Sequence, residues 1–341
     1  MSTILDLDIV QLGTETTWGS DETPTVKLMS VETCSITPIR TSTMVGEKRG
    51  SLAPGFAHIR TIEEGAASLA GLLTYQDADY LFQALFGVAT PTTDANGTLT
   101  RVYSAPGLNY ATDLAAPASY TLVYGNPSSD FGAGTDDVYA LLGSTLTTLQ
   151  ISGGTGAPLR YTASFVGKQV AADAFADLDD RAVEHVMGDH VVISLDPASD
   201  TVGTTPLTNL AFSFTLDINT NRALVRHLNS LTPDKYKEGV KWDGTMALSF
   251  EFASDASAEL SNIMTLHAGQ EKAIRIKAST GATSTARQVQ LDFTGVILAA
   301  PTLFTYQDGI RTLDLQLAGI YSSVRGNWLE VETLSNVATL A

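Results

Sequence analysis

The sequence predicts a mainly β protein of sandwich- or barrel-forming sheets with short flanking helices, and three observations carry that expectation. Short apolar runs alternate residue by residue with polar ones; Thr, Gly and Ala crowd the intervals; and the chain nearly repeats itself, without a gap, at an offset of 179 residues over positions 31–87. Ile39/Ile218, Thr41/Thr220, Ser51/Ser230, Leu52/Leu231, Pro54/Pro233, Gly65/Gly244, Leu69/Leu248 and Leu81/Leu260 are identical, and Leu73/Phe252 and Leu85/Met264 are apolar matches. Ordinary composition gives about four identities in such a window. Eight, falling at strand ends, a Ser-Leu-x-Pro turn and a helix face, point to two copies of one unit.

The bulk numbers agree. A chain of 341 residues accommodates two modules with cores of their own, and 44% hydrophobic against 17% charged residues excludes a wholly disordered chain. The single cysteine, Cys34, forbids an intrachain disulfide, so burial and backbone pairing must hold the fold. The start MSTILDLDIVQLG lacks the basic, then apolar, pattern of a signal peptide, and no run of 18 apolar residues follows. Assembly inside a cell is the simpler expectation. A net charge of −17 repels phosphate, which argues against tight nucleic-acid binding.

In chain order, residues 1–24 read as a polar, turn-rich arm, 25–169 as the first module, 170–208 as an Asp-, Pro- and Thr-rich connector, and 209–341 as the second module with a C-terminal segment. Thr25 to Thr43 predicts strands broken near Glu32 and Pro38. Leu210 to Thr220 alternates more cleanly, with Phe212, Phe214, Leu216 and Ile218 on one face and Ser213, Thr215, Asp217 and Asn219 on the other. The next strand of that copy sets Met246, Leu248, Phe250 and Phe252 against Thr245, Ala247, Ser249 and Glu251; its counterpart sets Ala67, Leu69, Gly71 and Leu73 against Ala66, Ser68, Ala70 and Leu72. Amphipathic helices follow at Asp77–Phe86 and Asp255–Leu266. Further strands are expected at Leu99–Tyr103, Tyr120–Tyr124, Leu146–Ser152, Leu159–Val166, Ile274–Lys277, Val289–Phe293 and Leu313–Leu317.

Each copy carries a long loop, 42–64 and 221–243. Together these hold Lys48, Arg49, Arg60, Arg222, Arg226, Lys235, Lys237 and Lys241, eight of the twenty Lys and Arg residues. Positive charge is therefore concentrated in two segments of an acidic protein, and loops of that length usually carry function.

No catalytic constellation emerges, and no enzyme or cofactor is expected. His185 and His190 with Glu184 and Asp189 match no common zinc spacing; Asp94-Ala95-Asn96-Gly97 lacks the later ligands of a calcium loop; Gly153-Gly154-Thr155-Gly156 precedes no helix. The latter two read as hairpin turns. No Gly-x-Ser-x-Gly elbow occurs, Cys34 lies in a strand, and the five histidines are scattered.

Along nearly its whole length the chain resembles the tail tube proteins of long-tailed, siphophage-type bacteriophages, in the branch with a tandem fused tube module. The carriers are Gly13-Thr14-Glu15-Thr16-Thr17-Trp18-Gly19, Arg49-Gly50-Ser51-Leu52-Ala53-Pro54, Thr74-Tyr75-Gln76-Asp77, Leu159–Lys168, Leu291-Asp292-Phe293-Thr294-Gly295 and the run from Gly319 to Leu329, in that order. The resemblance implies stacked rings, each closed by six modules and hence by three chains, with a hexamer of chains the alternative. It further implies an inner barrel of ~24 strands around an acidic channel through which the genome, double-stranded DNA, passes into the host without specific binding. Ser213, Thr215, Asp217, Asn219, Ser249 and Glu251 would then line the channel, and the eight loop cations would contact the next ring. The implied partners are further copies of the chain and the tape-measure, tail terminator and distal tail proteins, and the implied location is the virion tail, assembled in the bacterial cytoplasm. Ile36 and Pro38 stand where the second copy has Thr215 and Asp217, a departure in the first copy. Two other readings remain open at this point: a β-rich fibre or carbohydrate-binding module, and a single-ring adaptor or terminator.

Overall fold

The computed structural model describes residues 8–46, 57–93, 98–107, 119–127, 137–198, 201–207, 211–237, 241–251, 271–280, 286–297, 302–307, 309–337 and 340. The first half contains β1 (Ile9–Thr14), β2 (Val26–Lys27), β3 (Val31–Val45), β4 (Ala57–Leu72), helix α1 (Asp77–Phe86), β5 (Thr92–Thr93), β6 (Leu99–Ser104), β7 (Tyr120–Asn126), β8 (Asp137–Gly154), β9 (Arg160–Gly167) and β10 (Gln169–Ala172). There follow β11 (Val191–Pro197), β12 (Ala211–Asn219), β13 (Ala223–Val225), β14 (Lys235–Lys237), β15 (Asp243–Glu251), β16 (Glu271–Thr280), β17 (Arg287–Ile297), β18 (Thr302–Gln307), β19 (Ile310–Gly319) and β20 (Leu329–Ser335). The protein is mainly β, as its alternation requires.

One antiparallel ladder organises the molecule, in the order β3, β4, β9, β8, β12, β15, β19, β18. Its two faces differ because side chains alternate along a strand. Cys34, Leu69, Ala163, Leu149 and Ile218 are successive register partners across five strands, and all but the half-buried Cys34 are fully buried. One residue along, the same strands present Ser35, Ser68, Ser164, Thr148 and Asn219. The ladder therefore has one dry and one wet face.

A second layer covers the dry face. β2, β1, β7, the first half of β8 and β10 pair in that order, as do β11, β16, β17, β20, β6 and β5. β8 belongs to both layers: Asp137 to Ser144 pairs with β7, and Thr145 to Ser152 pairs with β9. It turns between them at Gly143, whose φ of 66° only glycine adopts cheaply. Between the layers lies α1, all ten residues of which are buried, with Phe82, Phe86, Tyr103 and Trp242 in ring contact. Residues from both halves of the chain form one continuous apolar cluster.

Helix α1 occupies the expected residues, and the seven downstream segments expected as strands fall on strands. The expected helix Asp255–Leu266 and the Asp94–Gly97 turn lie outside the described residues, although β5 and β6 on either side of that turn pair antiparallel. Four features differ from expectation. The first long loop is largely a hairpin, because β3 and β4 keep pairing out to Val45↔Ala57. Glu32 does interrupt the register, as a bulge, whereas Pro38 stays within β3, which an edge strand tolerates because its outward N–H has no ladder partner to lose. Part of the segment read as an arm is β1, with Val10 and Leu12 buried. Finally, the segment 170–208 contributes β10 and β11, and its Arg181 reaches Asp77 Oδ1 at 2.5 Å.

The cross-strand pairing bears on the mismatch at Ile36 and Pro38. Ala66 pairs with Thr37, and Thr245 pairs with Asp217. With β4 and β15 matched at an offset of 179, Thr37 thus occupies the place of Asp217, and Ile36 that of Leu216. On that matching, β3 and β12 would correspond one residue away from the gapless alignment. A one-residue slip exchanges the faces of a strand, so Ile36 packs on the core, and Thr33, Ser35 and Thr37 are exposed on the wet face.

Candidate assembly surface

The wet face is a field of short hydroxyl and amide side chains with few charges. Of the six residues expected to line a channel, Ser213, Thr215, Asp217 and Asn219 stand on β12 and Ser249 and Glu251 on β15, in paired registers on one face. Gln150 Nε2 donates to Asp217 Oδ1 at 2.6 Å across the β8–β12 seam, and Ser249 Oγ donates to Asp314 Oδ1 at 2.7 Å across β15–β19. These bonds hold the acidic groups against the sheet. The wet face also carries Thr148, Gln150, Ser152, Thr162, Asp314 and Gln316, which were not among the expected residues; their strands were expected, and period-two alternation from Leu149 or Leu315 would have found them. The one cation of this face described at the β9 end, Arg160, is neutralised by a bidentate bond to Glu32, at 2.6 and 3.2 Å.

The ladder ends on two strand edges. Among the described residues, β3 pairs with β4 alone, and β18 pairs with β19 alone. Such edges are rows of unpaired backbone donors and acceptors, which proteins ordinarily blunt or cover.

The loop cations divide into four groups. Lys48 and Arg49 lie outside the described residues. Arg60, Lys235, Lys237 and Lys241 are exposed, Lys241 Nζ lying 4.0 Å from Asp243 Oδ1. Arg226 pairs with Glu64 of the other long loop, and the Glu63 amide donates to Leu231 O at 3.0 Å, so the two loops lie side by side. Arg222 is not a surface cation at all. Its guanidinium is buried, donating to Leu85 O at 2.7 Å, Leu146 O at 3.0 Å and Ala84 O at 3.4 Å, and it stacks 5.2 Å from the Trp242 ring. Helix α1 has no basic residue in its last turn, and Arg222 supplies that charge from the second half of the chain.

Buried carboxylates elsewhere serve cohesion. Asp79 accepts from Thr333 Oγ1, from Ser335 Oγ at 2.6 Å and from Arg101 Nη1 at 3.2 Å, tying α1 to β20 and β6; burial pushes its carboxyl above the usual range. Burial likewise raises Glu15, which accepts the Gly143 amide at 2.6 Å and fixes the bend of β8. The Cys34 thiol is pushed up to about 12, chiefly by burial, which leaves it protonated and unreactive at neutral pH.

His185 and His190 fall in different contacts: residue 185 forms a backbone bridge with Thr74, and the His190 ring lies against Tyr75. Among the described residues, no group of three His, Cys, Asp or Glu side chains is placed to hold a metal ion, and no helix is long and apolar enough to cross a membrane. The tryptophans offer no exposed ring platform. Trp242 and Trp328 are buried, and Trp18 donates to Gly143 O at 3.0 Å beneath Lys168.

No curated protein matches the chain at a significant level. The family model described as phage tail tube protein matches residues 9–318. That match takes in both halves of the ladder, the two long loops and the bend of β8, and with it the chain belongs to the phage tail tube protein family.

Proposed function

We propose that the chain is the repeating structural subunit of a long, non-contractile phage tail tube, built as a duplicated module, and that three copies close a ring whose wet faces enclose a channel for the genome. The observation that carries this reading is the eight-strand ladder, apolar on one face and hydroxyl-rich on the other, with a free edge at each end. Two four-strand units per chain, β3-β4-β9-β8 and β12-β15-β19-β18, follow one order, and Ala66↔Val166 and Thr245↔Ala318 are equivalent pairs. Three chains then supply six units. We take the modules as 25–169 and 209–341, joined through 170–208; β1 and β11, in the segments that precede them, would be matching strands of the outer layer.

A wall of Ser, Thr, Asn and Gln whose acidic groups include Asp217, Glu251 and Asp314, and whose Arg160 is held by Glu32, offers phosphate no free cation, so DNA slides along it without being held. The remaining loop cations, Arg60, Lys235, Lys237 and Lys241 with Lys48 and Arg49, contact the next ring. Ring growth starts and ends on the distal tail and terminator proteins and is measured along a tape-measure protein, with assembly in the host cytoplasm and residence in the virion tail. The buried tryptophans disfavour a carbohydrate-binding module. Electron microscopy of the purified protein tests the reading: end-on views of hollow rings of three chains with sixfold-looking lumens are expected. A monodisperse monomer without a channel, even with the other tail proteins added, overturns it.

A further inference from the structure

β13 and β14 form a ribbon of their own. Ala223, Leu224 and Val225 pair with Lys237, Tyr236 and Lys235, and among the described residues neither strand joins either sheet layer. A lone two-stranded ribbon is marginal in water and needs side-chain anchorage to keep one orientation. Alternation along β14 places Lys235 and Lys237 on the exposed side and Tyr236, half-buried, on the other. Whatever holds Tyr236 therefore decides which way the two lysines point.

The Tyr236 ring meets Trp18, with centroids 6.2 Å apart and planes inclined at 59°. Trp18 lies in the turn that follows β1, and that turn is fastened at the bend of β8. Trp18 Nε1 donates to Gly143 O at 3.0 Å, while Glu15 accepts the Gly143 amide at 2.6 Å and the Gly19 amide at 2.7 Å, so both ends of the short turn are pinned. Lys168 Nζ closes over the indole, 5.9 Å from its centroid. A side chain at Gly143 would come within 3.0 Å of Trp18 Cε2, so the glycine that allows the bend also makes room for the ring.

We propose that Trp18 is the positioning residue of this ribbon: the turn from Glu15 to Gly19 is a bracket, fixed to the bend of β8, that seats Tyr236 and so turns Lys235 and Lys237 toward the carboxylates of a second copy. The inference rests on the tube-subunit reading and names the part of the chain that aims the contact between rings. The division of labour along the ribbon fits it. Arg222 and Arg226 flank β13 and fasten it to α1 and to the first long loop, and Trp18 fastens β14. An aromatic pair suits that task, because two stiff rings fix orientation as well as distance. The net charge of −17 makes a neighbouring copy rich in the groups that two outward lysines would meet.

Amide hydrogen exchange and tube length, both measured on the full chain, test the bracket. In Trp18→Ala the amides paired between β13 and β14 are expected to exchange about tenfold faster, the loss that one well-packed aromatic contact supports, while those of β12 and β15 keep the parent rate. Rings are expected to form and tubes to shorten. Trp18→Phe keeps a ring against Tyr236 and gives up the Nε1 bond; it is expected to restore ribbon protection and most of the tube length, which a general loss of stability would not allow. Tyr236→Ala carries the same test from the other side should Trp18→Ala fail to fold, and the double variant is expected to be no worse than either single one. Unchanged ribbon exchange in Trp18→Ala, or exchange that rises equally in β12 and β15, overturns the bracket and leaves the tube reading intact. Faster ribbon exchange with tubes of parental length overturns the aiming role. Parent protein that forms neither rings nor tubes overturns the tube reading and the aiming role together, whatever the ribbon does.

Discussion

Arg222 Nη2 donates to the carbonyl oxygen of Leu85 at 2.7 Å, joining the long loop of the second half to the last turn of the helix in the first. With Leu146 O and Ala84 O it makes a three-acceptor site for a planar fork of donors. Arg222→Ala is expected to cost about 2–4 kcal/mol, since buried acceptors lose a charged donor, and Arg222→Lys is expected to recover less than half of that. Urea unfolding of the soluble chain measures both, and a loss below about 0.5 kcal/mol for the alanine variant would contradict the assignment.

Asp79 and Arg101 form a fully buried pair between α1 and β6, completed by Ser335 and Thr333 of β20. Removing one partner leaves an uncompensated charge, so Asp79→Ala is expected to destabilise by about 3–5 kcal/mol. Asp79→Asn, which keeps a hydrogen-bonding group without the charge, should cost less. Because burial raises the Asp79 carboxyl in the folded chain, that group binds its proton more tightly folded than unfolded. Its contribution therefore favours folding increasingly as pH falls through its folded pKa, and Asp79→Asn abolishes that slope in an unfolding series from pH 7 to pH 4.

Asp196 has the opposite sign. Burial pushes its carboxyl up, but bonds from the Thr204 hydroxyl at 2.5 Å and the amides of Gly203, Thr204 and Thr205 outweigh this and hold it below the usual range. Its stabilisation is present above the unfolded carboxylate pKa and lost as pH falls through the lower folded value. Asp196→Asn is expected to lower stability at pH 7 by about 1–3 kcal/mol and to converge on the parent in strong acid. Parallel unfolding curves at pH 7 and pH 2.5 check it; equal differences at both would disprove the linkage.

Reversal of charge at Lys235, Lys237 and Lys241, all exposed, is expected to leave folding and ring formation unchanged while shortening or abolishing tubes. Tube-length distributions by negative-stain microscopy decide this, and unaltered lengths would remove these lysines from the inter-ring contact. Arg222, sharing their loop, is expected to behave differently by failing to fold rather than failing to stack.

Much of this architecture was legible in the sequence because a period of two is a strong signal where one face is buried. Phe214, Leu216 and Ile218 against Thr215 and Asp217 fixed the faces of β12, and Leu81, Phe82 and Leu85 placed α1. The identity Gly65/Gly244 also had a physical cause: a side chain there would collide with Leu141 in one half and Trp328 in the other. What stayed hidden depended on long-range partners. That Ala66 lies opposite Thr37, and Thr245 opposite Asp217, shows only in cross-strand pairing, and Arg222 reads as one more loop cation until the helix end that it caps is known. Met44 and Val45, beyond the expected strand end at Thr43, read as loop residues until the strand opposite them is in place.

β8 leaves one layer at Gly143 and finishes in the other without a chain break. A pull applied to the inner wall is consequently carried along covalent backbone into the outer one. Two leaves free to slide resist flexing as the sum of two thin shells, whereas leaves that cannot slide act as one thick shell, and stiffness grows with the cube of thickness. In the proposed tube, this joint would keep the wall straight over a great length although each of its layers is only one sheet deep.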